Sequence, residues 1–440
     1  MVTRRDTLSF AIAGVIGGLS ASHTLGARAA AMADLANSTG STGSTGLPPA
    51  IASLSSQAHR LVPISVGERQ ARFAKAQALL QEQHLAGMIL AEGTSLNYFT
   101  GVSWWGSERL FALLLPAKGA PLVMCPAFEE ARAREQLTQG LGREQMEVRV
   151  WQEDQNPYEI FARAVKDRGI SSGQLGLEES VRYVFASQIQ QALPHAHFSS
   201  ATPITAGCRM HKSPAEVALM RLASEVTLSA YAATAASIQV GMSQSEISEL
   251  SRHAHARLGF EGAADLVLID QSAAFPHGSV QPTRVKEGSL VLFDGGCTAA
   301  GYHSDITRTF VIGEPTAKMR EVFAIVHAAQ HAALTAAGPG VPCGEVDRAA
   351  RAVITAAGFG PDYKTFTHRL GHGIGLDGHE WPYLVRGNPF KLSAGITTSN
   401  EPGIYLPGEF GLRLEDEMLI TEHGAQLLTG QSVSLQAAFG

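Results

Sequence analysis

The chain is poor in charge and in cysteine. Asp, Glu, Lys and Arg make up 17% of its 440 residues, against roughly 25% in an ordinary globular domain, which argues against a chain held open by its own charges. There is no long basic run, and 34 Lys and Arg stand against 40 Asp and Glu for a formal charge of −6. Nothing here can track a phosphate backbone, so nucleic acid is not the expected partner. The four cysteines, Cys125, Cys208, Cys297 and Cys343, are far apart and form no CxxC pair. That excludes a disulfide scaffold and a thiolate zinc site, and leaves them as isolated small hydrophobes. A long hydrophobic run is missing too. The apolar stretch from Leu8 to Leu25 is broken by glycines and, at about 18 residues, is at the short limit for spanning a bilayer. What is present is a 45% hydrophobic composition and length for two or three compact units of about 150 residues each.

Residues 1–33 read as an address. Thr3-Arg4-Arg5-Asp6 opens the charged start, the apolar stretch follows, and Ala27/Ala29 and Ala31/Ala33 offer two A-x-A cleavage points, the pattern of a signal peptide. Adjacent arginines followed by Asp6-Thr7-Leu8 resemble a twin-arginine signal, which exports folded proteins. The expectation is an exported protein, periplasmic or secreted, with no stable membrane anchor once processed. Three Ser-Thr-Gly triplets and Leu47-Pro48-Pro49 follow, so residues 34–60 are expected to be a flexible linker.

From 61 to 209 apolar strands (87–91, 110–115, 122–124) alternate with helical stretches (129–139, 158–167, 185–192), which predicts a compact α/β domain. Its more exposed-looking features are Asn97 to Gly101 and the pair Trp104-Trp105, although aromatics are more often core than binding surface. At Ser213-Pro214-Ala215-Glu216 the texture changes. Ser213 is a good N-cap, Pro214 suits the first helical position and Glu216 completes a capping box, so a long helix opens there. The second domain, 210–440, repeats one plan: helices 214–238 and 244–258 and a hairpin at 289–312, then helices 316–336 and 344–357 and a hairpin region at 396–421.

Each hairpin region carries two acids in apolar surroundings: Asp294 and Asp305, then Glu401 and Glu415. Taken singly, each has an ordinary reading. Asp294 before Gly295 suits a turn, Asp305 inside a predicted strand could pair with Arg308, and Arg413 and Glu415 share a strand face as a salt bridge would. Pro402 holds Glu401 in extended backbone. His372, between Gly371 and Gly373, could be a structural histidine, although its glycines allow a close approach to a crowded centre. Together they suggest more. Four converging carboxylates would repel strongly, whereas two divalent cations would balance their charge. One imidazole among hard oxygens favours Mn²⁺, with Co²⁺ or Zn²⁺ as alternatives.

At these residues the chain resembles the creatinase, prolidase and aminopeptidase P family of pita-bread hydrolases, through the ordered run DGG, SDITRT, HRLGHGIGLDGHE, NEPGIY and RLED. The resemblance covers about 61 to 430. It implies a creatinase-like α/β N-terminal domain followed by an α+β pita-bread catalytic domain, and two divalent cations. Asp294 would hold one ion, His372 and Glu401 the other, and Asp305 and Glu415 would bridge both. Glu401 would also serve as general base, His277 and His379 would contact the scissile amide and its oxyanion, and Arg413 would stand beside the bridging glutamate. The implied substrate is a proline-containing peptide cut at its Xaa-Pro bond, by a dipeptidase or an aminopeptidase, and a homo-oligomer, taken as a dimer, is expected. Asn400 before Glu401 and Trp381 after His379-Glu380 depart from the common pattern without replacing a ligand. A same-fold hydrolase of a non-peptide substrate and a non-catalytic binding protein are the rivals; the complete ligand set speaks against both. Methionine aminopeptidases share the catalytic fold but lack such an N-terminal domain.

Overall fold

A computed structural model describes residues 46–142, 146–262 and 265–439. The expected signal peptide and the Ser-Thr-Gly repeat lie outside the described residues. Among the described residues, no helix is long and apolar enough to cross a membrane.

The end of the segment expected to be a flexible linker is folded. A short helix, Pro49–Ala52, buries Ile51 against the helices Pro214–Ala235 and Gln244–Leu258. The Gln57 N–H donates to the Leu258 carbonyl at 2.8 Å, and Arg60 pairs with Glu225 at 2.5 Å. The linker expectation fails over 48–60 because Ile51, Leu54 and Leu61 supply apolar surface that the polar repeat lacks. Burying Ile51 contributes roughly 1.5–3 kcal/mol.

Six strands form the N-terminal sheet: β1 (Gly87–Leu90), β2 (Ala112–Pro116), β3 (Leu122–Pro126), β4 (Glu147–Trp151), β5 (Gln174–Leu177) and β6 (His197–Ser200), in spatial order β4-β3-β2-β1-β5-β6. Every residue of β1, β2 and β3 is buried, as expected of central strands covered on both faces. The helices expected here form at Glu130–Leu141, Pro157–Asp167 and Tyr183–Ala192. β4, β5 and β6 escape sequence reading because Glu147, Arg149, Gln174 and His197 interrupt their apolar pattern, and their parallel pairing is a tertiary matter. Asn97 to Gly101 ends a helix, Thr94–Thr100, with Gly101 closing it at φ 74°, and its aromatics take the core reading. Tyr98 and Phe99 are core residues at 3% and 0% exposure. Of the tryptophan pair only Trp105 is exposed, while Trp104 lies against Phe111 with ring centroids 4.2 Å apart.

The capping box at Ser213 and Glu216 is present and opens the Pro214–Ala235 helix; a second, at Ser243 and Glu246, opens Gln244–Leu258. The strands of the C-terminal half are β7 (Leu266–Ile269), β8 (Leu290–Gly295), β9 (Thr298–Ala299), β10 (Tyr302–His303), β11 (Ile306–Val311), β12 (Gly371–Gly373), β13 (Glu380–Leu384), β14 (Thr397–Asn400), β15 (Gly403–Leu406), β16 (Phe410–Arg413), β17 (Asp416–Thr421) and β18 (Gly424–Leu427). They make sheets β11-β8-β7 and β13-β12-β14-β17-β18, with β9/β10 and β15/β16 as separate small hairpins. Each half is therefore two packed helices, then a strand, a small hairpin and a returning antiparallel strand: β8, β9/β10, β11 in the first, and β14, β15/β16, β17 in the second. The helix Cys343–Ile354 ends earlier than expected, opening into a wider turn at Thr355–Phe359 where Gly358 takes φ 87°. With Ala317–Ala336 it covers the C-terminal core of β8, β16 and β17 side chains.

Candidate metal centre

The strand–hairpin–strand plan sets where the acids stand. Asp294 lies near the end of β8 and Asp305 just before β11; Glu401 follows β14 and Glu415 just precedes β17. Asp305 and Glu415 were expected inside strands. Each instead occupies the short extended link by which the chain re-enters the sheet, so its carboxylate is free of the strand's side-to-side alternation. The Glu401 N–H donates to the Leu370 carbonyl at 2.9 Å, the Glu415 N–H to the Thr307 carbonyl at 3.1 Å, and the Asp305 N–H to Glu417 Oε1 at 2.7 Å. These bonds hold the three backbones on which the carboxylates turn inward.

The ordinary partners do not hold. Arg308 does not meet Asp305: it is 1% exposed and reaches Asp416 at 2.6 Å and the Glu415 carbonyl at 2.7 Å. Arg413 does not pair with Glu415 but with Asp294, Nη2 to Oδ2 at 2.6 Å. Its Nη1 donates to the Tyr405 hydroxyl at 2.8 Å and to the Pro276 carbonyl at 3.2 Å.

Asp294, Asp305, His372, Glu401 and Glu415 converge. One donor atom each from His372, Glu401 and Glu415 lie within 4.8 Å of one another, as do those of Asp294, Asp305 and Glu415, so Glu415 belongs to both sets. Asp305, His372 and His379 form a third such set. His372 Nε2 is 3.5 Å from Glu401 Oε1 and 3.7 Å from Asp305 Oδ2. Its Nδ1 is 3.1 Å from the Gly373 carbonyl, which can only accept, so Nδ1 carries the proton and Nε2 turns a lone pair on two carboxylates. Glu415 Oε1 is buried and has no hydrogen-bond partner among the described residues. Ionised, these are acceptors facing acceptors with a buried oxygen left over, an arrangement that fits divalent cations.

Electrostatics say the same. Burial, and then the charges of Asp305, Glu401 and Asp294, push the Glu415 carboxyl far above its ordinary range; burial, then Asp294 and Glu401, does so for Asp305. Burial raises Glu401 to about 8, with Arg413 opposing and Asp294 adding to the shift. Asp294 alone goes the other way: burial would raise it, but the Arg413 guanidinium and the Thr307 hydroxyl bring it below the usual carboxylate value. Burial and neighbouring His379 lower His372 to about 3, which keeps the ring neutral and able to ligate. The protein groups alone cannot all be ionised at neutral pH; two divalent cations would let them be.

Residues 218–422 match metallopeptidase family M24, and residues 72–211 match the creatinase/prolidase N-terminal domain. A probable dipeptidase PepE of Mycobacterium bovis is 33% identical over 356 residues, which is 80% of this chain and 92% of that protein. The chain belongs to metallopeptidase family M24. An Xaa-Pro dipeptidase of Lactobacillus delbrueckii subsp. lactis is 33% identical over 82% of the chain and 97% of its own length. The crystal structure of dipeptidase PepE from Mycobacterium ulcerans superposes with a TM-score of 0.79 at 32% identity, covering 86% of this chain and all of that one. The fold is therefore the creatinase N-terminal domain joined to the M24 pita-bread domain, and the protein is a metal-dependent hydrolase.

The two remaining histidines expected at the site are His379 and His277. The rings of His379 and His372 lie over one another, centroids 3.7 Å apart. Arg369 Nη2 is 3.2 Å from His379 Nδ1; a guanidinium can only donate, so Nδ1 accepts and the His379 proton sits on Nε2. His277 is exposed on the loop after Asp270–Ala274, next to Pro276, whose carbonyl accepts from Arg413 at 3.2 Å.

Sequence reading missed four supporting residues. The Thr307 hydroxyl lies 2.9 Å from Asp294 Oδ1 and 2.7 Å from Glu415 Oε2, one proton between two carboxylates. Tyr405 donates to His368 Nε2 at 2.7 Å while accepting from Arg413. Buried Glu417 takes the Asp305 N–H and the Ser224 hydroxyl. Of these, only Glu417 lies outside the five signature strings, two residues past Glu415; Thr307, His368 and Tyr405 stand inside them with nothing local to mark their contacts.

Proposed function

We propose that this M24 metallopeptidase cleaves the Xaa-Pro bond of dipeptides, using two divalent cations, Mn²⁺ foremost, held by Asp294, Asp305, His372, Glu401 and Glu415. The observation that carries the reading is the convergence of ligand-capable oxygens and the His372 lone pair around Glu415, whose Oε1 has no partner among the described residues. The proline specificity is supported by the relative named an Xaa-Pro dipeptidase, and Mn²⁺ by a single imidazole among hard oxygens.

When bound, the cations act as Lewis acids on the scissile carbonyl and make water nucleophilic at neutral pH. The chain's own groups do the rest. Glu401, flanked by the Ser399 hydroxyl at 3.4 Å, takes the proton from the attacking water and returns it to the proline nitrogen, which has no hydrogen of its own in the peptide bond. His379, with its proton on Nε2, and His277 donate to the oxygen that gains charge. Arg413 keeps Asp294 ionised.

The decisive assay compares Ala-Pro with Ala-Pro-Ala on the metal-loaded enzyme. Hydrolysis of the first with the second left intact is expected of a dipeptidase; equal cleavage of both would make the protein an aminopeptidase, and cleavage of neither would remove the proline reading. Export belongs to the same proposal, supported by Arg4-Arg5 and the apolar stretch behind them. Transport of an already loaded protein would spare Mn²⁺ competition from copper and zinc outside the cytosol. Lysine at both arginines is expected to abolish export; unchanged export would refute it.

A further inference from the structure

Arg209 ends the helix Thr202–Arg209, where the N-terminal domain gives way to the catalytic one, and is 9% exposed. Its Nη2 is 2.5 Å from Asp377 Oδ2 and 2.5 Å from Glu380 Oε2. Those two acids bracket His379, Asp377 on the loop between β12 and β13 and Glu380 as the first residue of β13. The grip extends into the N-terminal domain: Arg209 Nη1 donates to Ser95 Oγ at 3.3 Å, Ser95 donates to Glu178 at 2.8 Å, and the Thr94 hydroxyl donates to Asp377 Oδ1 at 2.5 Å. Lys212 takes the remaining Glu380 oxygen. The loop carrying His379 is thus pinned from both sides of the histidine by one guanidinium whose other contacts lie in a different domain.

We propose that Arg209 is a positioning residue through which the N-terminal domain holds His379 over the metal centre. This rests on the reading of His379 as the hydrogen-bond donor. The two supports of His379 do separate things. Arg369 sets which ring nitrogen bears the proton; Arg209 sets where the backbone of 377–380 lies. A planar guanidinium can bridge two carboxylates from one nitrogen face, a geometry that a lysine ammonium on a flexible stem does not preorganise. A displacement of about 1 Å of a group aimed at a developing charge is enough to lose most of its effect. On this view the N-terminal domain contributes to turnover without any residue of the clamp touching substrate.

The test is a double-mutant cycle on the metal-loaded full chain with Ala-Pro, comparing wild type, Arg209→Gln, His379→Ala and the double variant, with metal content measured for each. Arg209→Gln is expected to lower kcat roughly 10- to 100-fold with KM and metal content near wild type. In the His379→Ala background the same change should alter kcat by less than about 3-fold, because the two residues act as one unit. Thr94→Val, which removes one hydroxyl from the clamp and leaves the buried charges paired, should lower kcat in the same direction by roughly 3-fold; it carries the test if Arg209→Gln does not fold. Histidine ¹H–¹⁵N spectra of the metal-free protein give a readout independent of turnover. His379 should keep its Nε2–H tautomer in all three proteins but show shifted or broadened ring resonances in Thr94→Val and Arg209→Gln.

Equal fold losses in both backgrounds, or unchanged kcat and spectra in the single variants, overturn the proposal. If His379→Ala turns over like wild type, the donor reading of His379 fails and the clamp falls with it. If His379→Ala is impaired while Arg209→Gln and Thr94→Val are not, the clamp alone is wrong.

Discussion

The imidazoles of His372 and His379 lie over one another, centroids 3.7 Å apart and planes inclined by 31°, yet carry their protons on opposite nitrogens. The Gly373 carbonyl makes His372 Nε2 a lone-pair donor; the Arg369 guanidinium makes His379 Nε2 a proton donor. Two chemically identical side chains are thereby given opposite tasks by one neighbour each. Burial and Arg369 also lower the His379 pKa, as burial and His379 lower that of His372, so both rings stay neutral near pH 7.

That division predicts different failures. His372→Ala should lose bound metal and activity together. His379→Ala should keep its metal and lose about 10²- to 10³-fold in kcat, the usual effect of deleting one donor to a developing oxyanion. Metal analysis and steady-state kinetics on the two variants decide it; equal metal loss in both would merge the two roles.

Metal removal should make stability depend on pH in an unusual direction. Glu401 is raised to about 8, and Asp305 and Glu415 are raised as well, chiefly by burial. The folded metal-free protein therefore holds protons that the unfolded chain has released above the ordinary carboxylate range. Its stability is greatest at or below that range and falls as pH climbs through about 8. The Tm of chelated protein should drop between pH 5 and pH 9, the loaded protein should drop less, and Glu401→Gln should flatten the chelated curve. A rising curve for chelated protein would contradict the assignment.

Arg413→Ala should weaken metal binding more at pH 6 than at pH 8. Asp294 is the one site carboxylate held low, by Arg413 and Thr307 acting against its burial. A depressed carboxylate favours the native, ionised state above its ordinary pKa and loses that advantage on acidification. Without the guanidinium Asp294 moves upward and protons compete for it in the mildly acidic range. Calorimetric Mn²⁺ titrations at the two pH values check this. Arg413→Lys should recover part of the loss, since an ammonium cannot serve Asp294, Tyr405 and Pro276 at once.

Arg308→Leu should destabilise the fold by about 3–5 kcal/mol, because it leaves Asp416 charged and buried. Arg60→Ala, which removes a half-exposed ion pair with Glu225, should cost at most about 1 kcal/mol. Urea unfolding midpoints of the metal-free variants separate the two.

Much of the site was legible because its signals are local. Pro402 after Glu401, glycines around His372 and the capping box at Ser213 each act within a few residues of chain, and the repeated pairing of two acids per hairpin region needs only one reading of the sequence. What failed was pairing over distance. Arg308 lies three residues from Asp305 in sequence but serves Asp416, and Arg413 lies two from Glu415 but serves Asp294, because the packing of one sheet against the other, not spacing, chooses the partner. The docking of 48–60 on the catalytic helices was likewise invisible to composition.

The amino-acid order by itself determined the inventory: five ligand-capable side chains, their supporting histidines, an α/β half followed by a doubled α+β half. Tertiary structure alone decided charge and proton state. Whether a carboxyl is pushed up or held down, and which nitrogen of a histidine carries hydrogen, depends on burial and on the one nearest partner, and those partners come from strands and domains that the chain brings together only when folded.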